Sequence, residues 1–96
     1  MILLSWMMVL ATALSPQQEI NDLDEQIRSS RQEQKRHEAL GHKYADKAYR
    51  LQSMKKVQDS KRFYEMEEQE KEIARYLQME IDALEKRKAA LMTEVP

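Results

Sequence analysis

The sequence contains no cysteine, one glycine, two prolines, one tryptophan and one phenylalanine in 96 residues. Without cysteine there is neither a disulfide framework nor a thiolate metal site. So little Gly and Pro leaves too few turns for a sandwich, a barrel or a glycine-rich phosphate loop. The length accommodates one domain at most and is short for an independent enzyme core. Lys, Glu, Gln, Arg, Ala, Leu and Met dominate instead, and these are the residues of long helices. The implied fold class is all-α: a short apolar N-terminal helix, then a long coiled-coil rod or an antiparallel helical hairpin.

Net charge is −1, but the charges are ordered along the chain. Residues 1–18 carry none. Residues 19–25 hold four acids and no base, and residues 28–62 hold eleven bases against four acids. Between 65 and 72 five glutamates face one lysine, and the remainder is balanced. Such alternating blocks set register and partner choice in coiled coils.

Residues 1–14 are apolar at twelve positions. As a helix they extend about 21 Å against a hydrocarbon layer of ~30 Å, and counting on to Gln18 gives about 27 Å, enough where the bilayer thins locally. Length and charge exclusion favour a membrane anchor, with Ile2, Leu3, Leu4, Trp6, Met7, Val9 and Leu10 as the attachment residues. Two other readings stand beside it. One is an apolar helix buried among partner subunits. The other is a signal peptide cleaved after Ala11-Thr12-Ala13, which lacks the usual basic residue before its apolar run. If the segment spans, Arg28, Arg31 and Lys35 place the body on the cytoplasmic or matrix side.

Ser15-Pro16-Gln17-Gln18 reads as a capping box with proline at the first helical position. From there a heptad seam runs through Ile20, Leu23, Ile27, Ser30, Gln34, His37, Gly41, Tyr44, Ala48 and Leu51. It is apolar at its ends and polar in the middle. A second seam runs through Phe63, Met66, Glu70, Ile73, Leu77, Glu80, Leu84, Arg87 and Leu91. The body, residues 16–96, therefore breaks near Gly41 or at 58–61, where Gln58-Asp59-Ser60 offers a cap. A reversal near 59 would set Lys47, Arg50 and Lys55 opposite Glu65–Glu72. The expected packing residues are Ile20, Leu23, Ile27, Tyr44, Leu51, Phe63, Ile73, Leu77, Leu84 and Leu91, against each other or against a partner's equivalents.

One short string invites a catalytic reading. His37-Glu38-Ala39-Leu40-Gly41-His42 resembles the HELLGH zinc motif of the dipeptidyl peptidase III family. The resemblance covers six residues. It implies His37 and His42 as zinc ligands, Glu38 as general base, and a further ligand from Glu65–Glu72. On a regular helix, however, residues five apart diverge by about 140°. Two solvated histidines on a charged helix is the reading adopted, and Glu38, His42 and Asp46 are read as an intrahelical salt-bridging stripe. No cofactor, metal or catalytic group follows.

The basic stripe Arg36, Lys43, Lys47 and Arg50 suits phosphate, but no groove-reading motif accompanies it. Anionic lipid headgroups are a second possible partner of Arg28–Arg36. Protein partners, or self-association through the coiled coil, are favoured over nucleic acid. The functional expectation is a non-catalytic structural or assembly subunit, held at a membrane or membrane complex by its N-terminal helix. The alternative is a self-assembling helical subunit of a secreted filament, needle or rod in an export apparatus.

Overall fold

The computed structural model describes residues 15–94, which form two long helices joined by a tight reversal. Helix α1 spans Pro16–Ser53 and helix α2 spans Val57–Met92. At ~1.5 Å per residue each is more than about 50 Å long, so the hairpin is a thin rod. The attachment residues Ile2, Leu3, Leu4, Trp6, Met7, Val9 and Leu10 lie outside the described residues. Among those described, no helix is long and apolar enough to cross a membrane.

The start of α1 forms as its chemistry dictates. Ser15 Oγ accepts from the Gln18 amide at 3.2 Å, and Gln18 Oε1 accepts from the Ser15 amide at 3.4 Å. Two otherwise orphaned amides are satisfied, and Pro16 gives up none because its nitrogen has no hydrogen.

The reversal is at Met54–Lys56, not at Gly41 or at 58–61. Helix α1 passes through Gly41 without interruption, and Gln58, Asp59 and Ser60 already belong to α2. The Lys56 amide donates to the Leu51 carbonyl at 2.9 Å and the Lys55 amide to Gln52 at 3.0 Å. That is the Schellman pattern, and it requires a left-handed residue between the last helical turn and the exit. Lys55 fills that place, with φ 62°. A lysine there is strained by roughly 1–2 kcal/mol relative to its right-handed form. The packing of two long helices beyond the turn outweighs that strain.

The chain thus carries its one glycine where none is needed and a lysine where glycine fits best. A Cβ built on Gly41 would lie 3.7 Å from Glu70 Cβ and 4.0 Å from the Glu67 carbonyl oxygen, both ordinary contacts. Exchanging the preferences, with Gly41→Ala and Lys55→Gly together, is expected to raise folding stability by about 1–2 kcal/mol. Denaturant titration followed by circular dichroism checks this, and a lowered midpoint would contradict it.

Candidate functional site

The chemistry-bearing surface of this molecule is the seam between α1 and α2 and the faces beside it. On α1 the side turned toward α2 carries Ile20, Leu23, Ile27, Ser30, Gln34, His37, Gly41, Tyr44, Ala48 and Leu51, each buried or half-buried. On α2 the seam is Ser60, Phe63, Glu67, Glu70, Ala74, Leu77, Ile81, Leu84, Lys88 and Leu91. This departs from the seam expected on α2. Phe63, Glu70, Leu77, Leu84 and Leu91 occupy it, but the alternate positions are one residue later. Ala74 and Ile81 face α1, while Ile73 and Glu80 face outward. A heptad constrains only its two spacings of three and four, and either order satisfies the apolar residues present here.

The seam has three zones. At the open end Ile20, Leu23 and Leu91 form an apolar cluster with Leu84 packed against it. Polar groups meet in the middle: Gln34 Nε2 donates to Gln78 Oε1 at 2.8 Å and to the Ala74 carbonyl at 3.4 Å. His37 Nδ1 meets Glu70 Oε2. Near the turn the Tyr44 and Phe63 rings are 6.1 Å apart and Lys47 Nζ lies 4.8 Å above the Phe63 ring. There Ser60 Oγ donates to the Ala48 carbonyl at 2.8 Å, and both residues are buried.

Charge pairing also differs from the sequence expectation. With the reversal at Met54–Lys56, the 65–72 block is carried past Lys47, Arg50 and Lys55. Lys47 stacks on Phe63, Glu70 meets His37, and Lys71 pairs within its own helix with Glu67 at 3.5 Å and Glu68 at 3.6 Å. Cross-helix ion pairs form toward the open end, where Arg31 meets Glu85 and Lys88 reaches Asp24 at 2.5 Å. Arg87 is 4.0 Å from Glu19. Exposed pairs of this kind contribute ~0.2–1 kcal/mol each and serve alignment more than stability.

Of the ten expected packing residues, Ile20, Leu23, Ile27 and Leu91 are buried within the hairpin. Tyr44, Leu51, Phe63, Leu77 and Leu84 are half-buried there, and Ile73 is 40% exposed. His37 and His42 do not converge, because α1 stays regular between them and His42 faces solvent. Among the described residues no three His, Asp or Glu side chains gather to hold an ion.

One surface was not foreseen. Ile73, Tyr76 and Met79 are 40%, 72% and 68% exposed on the outer side of α2, beside the half-buried Leu77. The sequence signal for it was present, since Met66 and Ile73 recur seven apart, but it was absorbed into the hairpin seam.

No family model, no curated protein and no solved structure matches this chain.

Proposed function

We propose that the chain is a non-catalytic assembly subunit that binds protein through the faces of its helical hairpin and is attached to a membrane or membrane complex by residues 1–14. The observation that carries the protein-binding part is the exposed apolar stretch Ile73, Tyr76 and Met79. Ile73, Tyr76 and Met79 stand within two turns of one another on one side of α2, which is how a helix presents itself to a further helix. Support for attachment comes from the sequence, with twelve apolar residues in the first fourteen and no charge before Glu19. Arg28, Arg31 and Lys35, which follow the segment, support a hairpin on the cytoplasmic or matrix side.

Alkaline carbonate extraction of membranes tests the attachment. The full chain is expected in the pellet, and a chain lacking residues 2–14 in the supernatant. Release of the full chain by carbonate would overturn the anchor while leaving the protein-binding face untouched.

A further inference from the structure

The exposed side of α2 carries a second heptad seam, one residue behind the seam that faces α1. It comprises Met66, Gln69, Ile73, Tyr76, Glu80, Ala83, Arg87 and Ala90, all exposed except the half-buried Met66. A shift of one residue turns a helix by about 100°, so α2 offers two faces nearly at right angles. That is the geometry of a helix with two helical neighbours, of which α1 is one.

We infer that the second neighbour is α2 of another copy of this chain, packed antiparallel about a two-fold axis. The face is self-complementary in that arrangement. Antiparallel coiled coils set one class of seam position opposite the other. With Tyr76 opposite Glu80 of the second copy, Ile73 falls opposite Ala83 and Met66 opposite Ala90, so each large apolar residue meets a small one. Gln69 lies opposite Arg87, and the Tyr76 hydroxyl is placed to donate to the Glu80 carboxylate. Along one flank Glu72 meets Lys86 of the second copy twice, and Met79 meets its own equivalent beside the axis. Sliding the copies by one heptad toward the turn sets Arg62 against Arg87, sliding them the other way carries Met66 beyond the end of α2, and either slide loses the Glu72–Lys86 pairs. A parallel pairing sets each seam residue against its own equivalent, Glu80 on Glu80 and Arg87 on Arg87. The two-fold makes the interface isologous and closed, so each charge match is made twice.

This inference rests on the proposal that the outer face of α2 binds protein. It does not depend on the membrane anchor, which pelleting reads separately. Because the chain has no cysteine, a single introduced thiol is a unique labelling site. The test uses the full chain in detergent, carrying one spin label at Met79→Cys or at Lys61→Cys, with distances between copies read by pulsed dipolar spectroscopy.

Antiparallel pairing predicts a separation under roughly 20 Å at position 79 and roughly 50 Å at position 61. Glu72→Lys is expected to weaken the dimer roughly fivefold to tenfold, and adding Lys86→Glu to restore it. Circular dichroism confirms that the variants keep their helices. Absence of dipolar coupling at position 79, meaning that another protein or residues 1–14 cover this face, would overturn the inference. So would short distances at both positions, or a charge reversal that the second substitution fails to rescue.

Discussion

Ile81→Ala is expected to lower folding stability by about 2–5 kcal/mol, the range for emptying a fully buried aliphatic site. Ile81 is 1% exposed and is the largest completely buried side chain in the hairpin. The loss matters more here than in a larger core. A chain of this length has a total stability of roughly 5–15 kcal/mol, so the variant sits near its unfolding threshold. The thermal midpoint should fall by roughly 10–25 °C. Ile73→Ala is the matched control. The same chemistry at a 40% exposed position should change the midpoint of dilute, monomeric chain by less than about a third as much. Thermal melts of the two variants decide which isoleucine faces α1. A larger loss from Ile73→Ala would mean that the seam of α2 is one residue earlier.

Ala48→Leu should destabilise by about 1–3 kcal/mol through overpacking rather than through a void. Ala48 is 0% exposed, and Ser60 donates to its carbonyl at 2.8 Å. Three further carbons at that crossing have nowhere to go unless the helices separate. Separation would break the Ser60 bond and loosen the contact of Tyr44 with Phe63. Urea titration measures the loss, and amide exchange locates it near the turn while the open end stays protected. An unchanged midpoint would show that α1 and α2 do not approach closely at Ala48.

The inward face of α1 was legible along its length and that of α2 only by halves, for reasons that lie in particular residues. On α1 the apolar side chains at 20, 23 and 27 admit one face, and Ala48 with Gly41 extends it. The apolar residues on its other sides, such as Leu40, Ala45 and Tyr49, do not recur at heptad spacing. On α2 the isoleucines at 73 and 81 belong to different faces, and each is consistent with leucines at 77, 84 and 91. Periodicity shows that both faces exist without saying which one meets α1. Only the packing against α1 separates them.

The reversal was illegible because its left-handed residue is Lys55, which advertises nothing, whereas Gly41 and Ser60 look like breaks and are not. Gly41 instead lies against Glu70, and Ser60 crosses to Ala48. The order of the charge blocks is legible in the sequence but their pairing is not, since a displacement of about four residues in the turn moves every cross-helix partner. Residues 1–14 contribute through sequence alone.

The placement of the apolar cluster has a mechanical meaning. Ile20, Leu23, Leu91 and the adjoining Leu84 close the hairpin at the end farthest from its turn, beside the point where residues 1–14 join α1. A hairpin pulled at its open end unzips pair by pair, and the first pairs met carry the whole load. In this chain those first pairs are its most apolar ones, backed by Lys88 on Asp24 and Arg31 on Glu85, while the weaker polar pairs around Gln34 and His37 lie sheltered behind them. Tension entering through the N-terminal segment therefore meets the strongest part of the zipper first.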